Sequence, residues 1–224
     1  MGKTAKALKN DKNIVFFDFD NTISTSDVFD DMLVHFSRGK SWKKLEDKWN
    51  RGLIGSRECL AGQLKTINVA KKILDRYLSK IKLDPYFERL IRLLEENQIK
   101  AVILSDNFDY ILNYILRCNG FGKLKVYSNS LKFARDRLMP AFPFVHKNCK
   151  ICAHCKTKNL LANVKANSII FYVGDGRSDI CPAGYCDVVF AKEDLLNYYK
   201  DNELSCLLYN SLKDVYRYFK RSLG

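Results

Sequence analysis

Short apolar runs alternate along this chain with stretches in which apolar residues recur at helical spacing. The runs fall at 14–17, 101–104, 124–127, 168–173 and 187–190, and a candidate for a sixth falls at 206–209. Runs without polar alternation are typical of strands that are buried on both faces of a parallel sheet. Because helical stretches separate the runs, the pattern predicts an α/β fold built on a doubly wound parallel sheet.

Two of the helical stretches carry start signals. One, at 87–94, follows an Asp-Pro pair at 84–85, which suits the first turn of a helix. The other, at 212–219, follows Ser211, and Asp214 stands three residues further on, as in a capping box. We therefore expect a helix to begin at each of these places.

The segment 27–83 breaks the alternation. Its apolar spacing is helical and it contains no convincing strand, although it lies between the first two predicted strands. We interpret it as a small inserted helical cap, which leaves a core of residues 1–26 and 84–224, with 1–12 as a basic tail. A second irregular segment, 131–155, contains two prolines among mixed aromatics and predicts a hairpin followed by a loop.

The composition excludes several classes of protein. With 224 residues and 47% hydrophobic content, the chain can bury a substantial core and is not disordered. It has no apolar stretch long enough to span a bilayer and no signal-peptide pattern. We therefore expect a cytoplasmic protein without membrane contact, whose cysteines remain thiols.

The chain is strongly basic, with 38 Lys and Arg against 25 Asp and Glu and a net charge of +13. Such a balance favours anionic partners. The basic residues are scattered and do not interleave with aromatics in one strip, which argues against nucleic acid. By charge alone, phosphorylated metabolites, nucleic acid and anionic lipid are all candidate partners, and the motifs described below favour a small phosphorylated metabolite.

Four acidic residues follow two of the predicted strands. Asp18 and Asp20 come directly after the first strand, and Asp175 and Asp179 follow the strand that ends at Val173. Loops at the carboxyl ends of parallel strands share one edge of the sheet, where such folds place their sites. Neighbouring carboxylates would repel one another unless a divalent cation held them, and oxygen ligands suit Mg²⁺.

Further polar groups belong to the same edge. Ser105, Asp106 and Asn107 follow the second predicted strand, and Lys156 opens the helix before the fourth. A hydroxyl, backbone amides at a helix N-terminus and an ammonium are groups that bind phosphoryl oxygens. Together with the carboxylates they predict phosphoryl transfer.

The order and spacing of these motifs resemble the haloacid dehalogenase superfamily, in its phosphatase branch with a small helical cap after the first motif, subfamily IB. The resemblance implies a Rossmann-like core and hydrolysis of a phosphate monoester through an aspartyl phosphate. Asp18 would be the nucleophile, and Asp20 would protonate the leaving oxygen and later activate water. The acid at position 20 argues against dehalogenases and transport ATPases, which lack one there.

The same resemblance assigns the metal ligands. Mg²⁺ would bind Asp18, the main-chain carbonyl of Asp20 and Asp175. Asp179 would order the groups that surround the metal ion. Thr22 would steady the first loop. A cation held in this way would neutralise carboxylates that otherwise repel one another.

Substrate contacts are also implied by the resemblance. Ser105 and Lys156 would bind phosphate, with Asp106 and Asn107 beside Ser105. Asp27 stands where phosphoserine phosphatases place a glutamate that faces the substrate amine. A cationic or hydroxylated leaving group is therefore compatible with this position.

Two groups within the branch are similar to this chain. Residues 173–182 and the Cys-Lys pair at 155–156 look like the phosphoethanolamine/phosphocholine phosphatases and the pyridoxal phosphate phosphatases. Residues 52–58 and 190–192 look more like the methionine-salvage phosphatases. Phosphoserine is disfavoured as a substrate, because Gln63 stands where phosphoserine phosphatases carry a cap arginine.

Several assignments have a simpler alternative. The Asp-x-Asp-x-Thr motif can be an Asx-rich turn at a strand end. Lys158 can be the functional amine in place of Lys156, and Ser105 can cap the helix that follows it. Arg177, inside a catalytic loop, would either touch substrate or pair with a nearby acid.

A compact cluster of cysteines and histidines lies in the second irregular segment. Cys149, Cys152 and Cys155, with His146 or His154, have the residue types of a structural Zn²⁺ site. A zinc knuckle normally has two separated ligand pairs. The alternative is therefore a set of buried thiols beside the site.

The sequence thus predicts a Mg²⁺-dependent phosphomonoesterase that acts on a small organic phosphate. Two alternatives stay open. One is a phosphotransferase or mutase with the same nucleophile, and the other is a non-catalytic, basic RNA- or protein-binding protein on this fold.

Overall fold

The computed structural model describes residues 10–134, 137–149 and 151–224. Of the predicted basic tail at 1–12, residues 1–9 lie outside the described residues. Within the described ranges the chain forms seven strands in one sheet and ten α-helices. The predicted α/β fold is confirmed.

The strands are β1 (Ile14–Phe17), β2 (Lys100–Phe108), β3 (Lys125–Ala134), β4 (Arg137–Ala141), β5 (Ile170–Gly174), β6 (Val188–Ala191) and β7 (Leu207–Leu208). They follow the order β4-β3-β2-β1-β5-β6-β7 across the sheet. All neighbouring pairs are parallel except β3 and β4, which form an antiparallel hairpin. The sheet is therefore mostly parallel, as predicted.

The helices are α1 (Val28–Phe36), α2 (Ser41–Asn50), α3 (Ser56–Leu64), α4 (Lys71–Leu78), α5 (Phe87–Glu96), α6 (Asp109–Cys118), α7 (Lys156–Leu161), α8 (Ile180–Ala183), α9 (Glu193–Asp201) and α10 (Leu212–Leu223). A single 3₁₀ turn at Arg177–Asp179 is also present in the described part of the chain.

Strand β1 explains why the first apolar run is uninterrupted. Its side chains alternate between two cores: Val15 and Phe17 join the larger one, and Ile14 and Phe16 join a smaller one on the other face of the sheet. All four are almost fully buried. A strand covered on both faces has no position for a polar side chain until it ends at Asp18.

The position of β1 in the sheet creates the site. It pairs with β2 on one side and β5 on the other, with Phe17 opposite both Ile103 and Val173. Strands β2 to β4 lie on one side of β1, and β5 to β7 lie on the other. The strand order therefore reverses at β1, and open α/β sheets leave a crevice at the carboxyl ends of the strands at such a switch point. The loops that follow β1, β2 and β5 therefore meet there.

The predicted strands are confirmed with changed ends. Strand β2 continues beyond the predicted 101–104 to Phe108, with a break in register after Leu104. Sequence pattern misses this extension, because the added residues include Ser105 and Asn107, which are polar yet buried. The short sixth run at 206–209 forms only the two-residue edge strand β7.

Both predicted helix starts are present. Ser211 and Asp214 form the capping box of α10. Asp84 accepts hydrogen bonds from the backbone N–H groups of Tyr86 (2.8 Å) and Leu212 (3.1 Å). One carboxylate thus ties the start of α5 to the start of α10, two helices that pack on each other.

The segment 27–83 contains helices α1 to α4. Its two ends are joined by an isolated bridge between Ser24 and Leu83. The main core continues from the sheet into these helices and includes Val28 and Leu74. The helical content agrees with the inserted cap, while the division of the chain into a core (1–26, 84–224) and a cap (27–83) remains a prediction.

The second irregular segment divides as the sequence indicated. Leu131 pairs with Pro140 in the β3–β4 hairpin. The described residues from Phe142 to Cys155 then contain no helix or strand before α7. None of the described helices combines the length and the apolar character that crossing a membrane requires.

Candidate active site

The site begins where β1 ends. The backbone N–H of Asp18 still donates to the carbonyl of Val173 (2.9 Å), so β5 fixes the residue in place. Its carboxylate is largely buried, and its Oδ1 accepts a hydrogen bond of 2.6 Å from Nζ of Lys156. Two residues that are 138 positions apart in sequence therefore form a buried ion pair.

Lys156 is the cation at the centre of the site. At the first position of α7, its Nζ lies 2.6 Å from Asp18 Oδ1 and 2.7 Å from Asp179 Oδ1. Burial opposes its charge, but the carboxylates of Asp179, Asp18 and Asp106 outweigh this and raise the pKa of Lys156. Lys158 is exposed. Of the two candidate amines, Lys156 is therefore the one that contacts the carboxylates.

Asp179 organises the loop after β5. Its Oδ1 accepts from Lys156 and from the Tyr172 hydroxyl (2.7 Å), and its Oδ2 accepts from the backbone N–H groups of Asp175 and Gly176 (both 3.0 Å). With four donors on two oxygens, this carboxylate has little capacity left for a metal ion. The contacts favour the ordering role over direct ligation.

Gly174 allows this loop to close. A Cβ atom at this position would lie 2.5 Å from Asp179 Oδ2 and 2.9 Å from the Tyr172 ring. Any side chain would push Asp179 away from its donors. The glycine of the Gly-Asp-Gly motif is thus required by packing against the buried carboxylate.

The carboxylates suit a hard cation. Asp18, Asp175 and Asp179 each offer an oxygen, and these oxygens all lie within 4.8 Å of one another. Thr22 Oγ1 donates to Asp175 Oδ1 (3.2 Å) and also contacts the Tyr209 hydroxyl (3.1 Å). Oxygen donors in this arrangement fit Mg²⁺, which prefers carboxylates and keeps several waters.

The electrostatics lead to the same conclusion. Burial and the negative charge of Asp179 raise the pKa of Asp18 well above its usual range, against the opposing effect of Lys156. Burial and Asp179 likewise raise the pKa of Asp175 to about 6. One ammonium does not neutralise three buried carboxylates, so a divalent cation would favour their ionised forms.

Asp20 is held by a different set of partners. Its Oδ1 accepts from the backbone N–H of Val28 (2.9 Å), and the side-chain amide of Asn107 donates to both carboxylate oxygens (3.2 and 3.0 Å). Burial and the nearby charge of Asp27 raise the pKa of Asp20 well above its usual range. The hydrogen bonds from Val28 and Asn107 oppose this shift but do not cancel it. A raised pKa is the direction that the role of a general acid requires.

Asn107 has a contact that the sequence did not predict. It was expected beside the phosphate, but its amide nitrogen contacts Asp20, and its Oδ1 accepts from the backbone N–H of Phe108 (2.7 Å). Asp106 lies next to it with a buried Oδ1 that has no partner in the described part of the chain. Burial raises the pKa of Asp106 to about 6.

Ser105 is fully buried at the floor of the site. Its hydroxyl oxygen accepts from the backbone N–H of Asn107 (3.0 Å), which leaves the hydroxyl hydrogen available for a ligand. Helix α6 begins at Asp109 and has no side-chain cap. The helix-cap alternative for Ser105 is therefore not observed.

His154 holds the Ser105 backbone. Its Nδ1 donates to the carbonyl of Ser105 (2.9 Å), and its Nε2 accepts from the side-chain amide of Asn159 (2.6 Å). Burial and the Lys156 charge lower the pKa of His154 to about 4, so the ring is neutral. Only the cysteine–histidine cluster marked this residue in the sequence, and its partner Ser105 lies 49 positions away.

The expectation of zinc is not supported. In the described ranges, the only group of three or more ligand atoms close enough to share a metal ion is Asp18, Asp175 and Asp179. Both ring nitrogens of His154 already have hydrogen-bond partners. A zinc site at Cys149, Cys152 and Cys155 with His146 or His154 is therefore not supported, because these ligand atoms do not come together in the described part of the chain.

Two further predicted residues lie at the edge of the site. Asp27 is the N-cap of α1 and accepts from the backbone N–H of Asp30 (2.8 Å). Arg177 pairs with Asp194, with 3.3 Å between Nε and Oδ2, and both side chains are more than half exposed. The alternative of an acid partner for Arg177 is therefore the contact that is observed.

These groups line one cavity of about 220 Å³. Its basal end carries Asp18, Ser105 and Lys156. A second group of lining residues, on α2 and at the start of α1, contains Asp27, Asp30 and Glu46, which we call the acidic end. The cavity is large enough for a small organic phosphate, and the two ends differ in chemistry.

The acidic end was not predicted from the sequence beyond Asp27. Burial, followed by the charges of Asp27, Glu46 and Asp31, raises the pKa of Asp30 to about 7. No ion pair among the described residues involves Asp27, Asp30 or Glu46. Carboxyl groups crowded together without a cation would accept hydrogen bonds from a ligand.

The chain is similar in sequence to known phosphatases. Polyol phosphate phosphatase PYP1 of Saccharomyces cerevisiae is 29% identical over 231 residues, covering 95% of this chain and 95% of that protein. The 2-hydroxy-3-keto-5-methylthiopentenyl-1-phosphate phosphatase of Bacillus cereus is 24% identical over 219 residues, covering 94% of this chain and 97% of its own length.

A similar fold occurs in solved structures. One described as "Phospho-Aspartyl Intermediate Analogue of Phosphoserine phosphatase" superposes with a TM-score of 0.71 at 17% identity, covering 92% of this chain and 98% of that chain. The family model described as "Putative Phosphatase" matches residues 13–208, and the chain belongs to that family. The family match, the relatives and the fold together indicate a phosphatase of the haloacid dehalogenase superfamily.

Replacing the central cation tests the geometry. Lys156→Met leaves Asp18 and Asp179 buried without their ammonium, which costs about 3–5 kcal/mol of stability in comparable buried pairs. We also expect phosphate release to fall about 10²-fold or more, as when one charge-stabilising donor is lost. Thermal unfolding and a phosphate-release assay measure the two effects.

Lys158→Met is the matched control for this variant. It changes the same residue type on the same helix at an exposed position. We expect it to retain both stability and activity. A larger loss in Lys158→Met than in Lys156→Met would contradict the assignment of Lys156.

Proposed function

We propose that this phosphatase hydrolyses a small organic phosphate monoester through an aspartyl phosphate on Asp18, with Mg²⁺ as its cofactor. The observation that carries the proposal is the placement of Asp18 at the base of the cavity, 2.6 Å from the Lys156 ammonium and beside Asp175. Cytoplasmic location, and the absence of nucleic-acid and membrane partners, remain predictions from the sequence.

In the first step, a carboxylate oxygen of Asp18 attacks phosphorus and the ester oxygen leaves. Asp20, whose raised pKa favours the protonated form, gives its proton to that oxygen. The Ser105 hydroxyl and the Lys156 ammonium contact the phosphoryl oxygens and balance their charge. Asn107 keeps the Asp20 carboxyl group oriented toward the leaving oxygen.

In the second step, Asp20 acts as a base. Having lost its proton, it accepts one from a water molecule, which attacks phosphorus and regenerates the Asp18 carboxylate. Asp18, Asp175 and the main-chain carbonyl of Asp20 would hold Mg²⁺, which supplies Lewis-acid stabilisation of the phosphoryl charge when bound. Asp179 keeps Asp175 and Lys156 in place through its four hydrogen bonds.

The segment 27–83 supplies the far wall of the cavity, and we propose that it acts as a cap that limits access of water during the first step. The acidic end then faces the leaving group. Carboxyl groups accept hydrogen bonds from hydroxyl or ammonium groups and repel a carboxylate. This supports a polyol phosphate, a phosphoethanolamine- or phosphocholine-type ester, or a methionine-salvage phosphate as substrate.

Phosphoserine fits this cavity poorly. Gln63, which lines the cavity and is buried, is the residue in the place expected for a carboxylate-binding arginine. An amide cannot offset the charge of a substrate carboxylate in the way that an arginine does. Asp27, Asp30 and Glu46 would add repulsion.

The nucleophile is tested with Asp18→Asn. We expect the variant to release no phosphate from any member of a phosphomonoester panel with Mg²⁺, because the amide is a far weaker nucleophile than the carboxylate. Asp47→Asn, an exposed change on α2, is the matched control and should keep full activity. Phosphate release that persists in Asp18→Asn would contradict the mechanism.

The same panel separates the alternative functions. Free phosphate that forms without any added acceptor supports hydrolysis, whereas turnover that requires an acceptor alcohol indicates a phosphotransferase. No turnover of any ester, together with salt-dependent RNA binding that Asp18→Asn leaves intact, would favour the binding protein.

The acidic end is tested with the double variant Asp30→Asn/Glu46→Gln. For esters whose leaving group carries hydroxyl or ammonium groups, we expect kcat/KM to fall about tenfold or more, since a hydrogen bond to a charged group contributes about 1.5–3 kcal/mol. For p-nitrophenyl phosphate, which offers no such donor, we expect little change.

Glu58→Gln on α3 is the matched control, since this glutamate is exposed and lies outside the cavity lining. It should leave the substrate preference unchanged. An equal loss on p-nitrophenyl phosphate and on the hydroxylated esters would show that the double variant damages the site in general and would contradict a role in selectivity.

A further inference from the structure

The cysteine-rich segment before α7 has no role in the proposed mechanism. Two of its cysteines are neighbours in space, because the backbone N–H of Cys152 donates to Cys149 Sγ (3.5 Å). Both residues are partly exposed. Two residues separate them in the sequence. The described residues of this stretch form neither helix nor strand.

The two thiols differ in reactivity. Backbone N–H groups of Cys152 and Ile151 stabilise a thiolate on Cys149, and its pKa is lowered. Burial and the neighbouring Cys149 raise the pKa of Cys152 to about 12. A partly exposed thiol with a lowered pKa beside a second cysteine is the usual arrangement of an oxidisable pair.

This segment connects the two walls of the cavity. The carbonyl of Ile151, between the two cysteines, accepts a hydrogen bond from the backbone N–H of Ser56 (2.7 Å), the first residue of α3. Ser56 Oγ in turn accepts from Trp49 Nε1 (3.0 Å), and both residues line the cavity. On its other side, the segment leads directly into Lys156.

We propose that Cys149 and Cys152 are a redox-modification site, at which peroxide forms a disulfide that displaces the Ile151–Ser56 contact and lowers phosphatase activity. The effect on activity rests on the proposed function, whereas the formation of the disulfide does not. A disulfide fixes the separation of the two Cα atoms and the torsion between the two Cβ atoms. The disulfide would close a ring that includes the carbonyl of Ile151, which is the group that accepts from Ser56.

The chemistry balances with hydrogen peroxide as the oxidant. The Cys149 thiolate attacks one peroxide oxygen, the O–O bond breaks, and the other oxygen leaves as hydroxide, which takes up a proton to give water. The Cys152 sulfur then attacks the sulfur of the sulfenic acid, the S–S bond forms and a second water leaves with the thiol proton. A dithiol reductant reverses the change by thiol–disulfide exchange.

The full chain, reduced and then freed of reductant, is treated with hydrogen peroxide in a time course. Peptide mapping by mass spectrometry follows the Cys149–Cys152 link, and hydrolysis of p-nitrophenyl phosphate with Mg²⁺ follows activity. We expect the link to appear, activity to fall several-fold in parallel, and both changes to reverse with a dithiol reductant.

Variants make the assignment specific. Cys149→Ser should abolish both the link and the loss of activity. Cys152→Ser should leave a sulfenic acid on Cys149, detectable with a dione reagent. Cys118→Ser is the matched control, because Cys118 is an exposed thiol on α6. It should behave like the chain without substitutions, which forms the link and loses activity.

Several results would overturn the proposal. These are the absence of a Cys149–Cys152 link, a link from Cys152 to Cys181 in its place, a link without loss of activity, or a loss of activity that persists in Cys149→Ser. Cys59, the thiol that lines the cavity, is the alternative target in the last case. If the protein has no phosphatase activity before oxidation, the proposed function is contradicted. The mapped Cys149–Cys152 link still shows in that case whether the redox-modification site exists.

Discussion

The ammonium of Lys156, buried between Asp18 and Asp179, is the interaction on which the rest of the site depends. Parallel strands bring their carboxyl ends to one edge, so the fold itself concentrates the loops that carry the aspartates. Burying several carboxylates without a counter-charge is unfavourable. Lys156 lowers this cost from one side, and a divalent cation on Asp18 and Asp175 would do so from the other. The Asp-x-Asp motif, the Gly-Asp-Gly loop and the start of α7 are thus parts of one electrostatic arrangement, although they are far apart in sequence.

Asp179 and His154 fix the conformation of the loops that carry the site residues. Asp179 uses both oxygens to hold Lys156, Tyr172 and the backbone of the Asp175 loop, and Gly174 leaves the space that it needs. His154 has the same function behind Ser105, since its neutral ring donates to the Ser105 carbonyl. In both cases a buried polar side chain with all its partners satisfied gives the loop one conformation, because any other would leave an unpaired buried group.

The sequence predicted those features that depend on local pattern. The apolar run of β1, the capping box of Ser211 and the order of the acidic motifs were all readable, because spacing along the chain determines them. The extension of β2, the Asn107–Asp20 contact and the His154–Ser105 contact were not, because each joins a buried polar residue to a partner that only the folded chain brings near. The possible zinc site is not supported for the related reason that a cluster of ligand types in sequence does not fix where their atoms point. Asp30 and Glu46 were missed because the wall of the cavity depends on how α1 and α2 pack against the sheet.

The acidic end is the part of the cavity that the overall charge does not explain. A protein of net charge +13 draws anions toward its surface, and Lys156 lies at the basal end. Asp27, Asp30 and Glu46 act against this attraction within the same cavity, so they would repel any ligand that is anionic at both ends. A phosphate ester with hydroxyl or ammonium groups on its alcohol would be favoured at each end separately, and its orientation would place phosphorus beside Asp18. Selectivity and alignment would then have a common physical origin, namely the opposite character of the two ends of one small cavity.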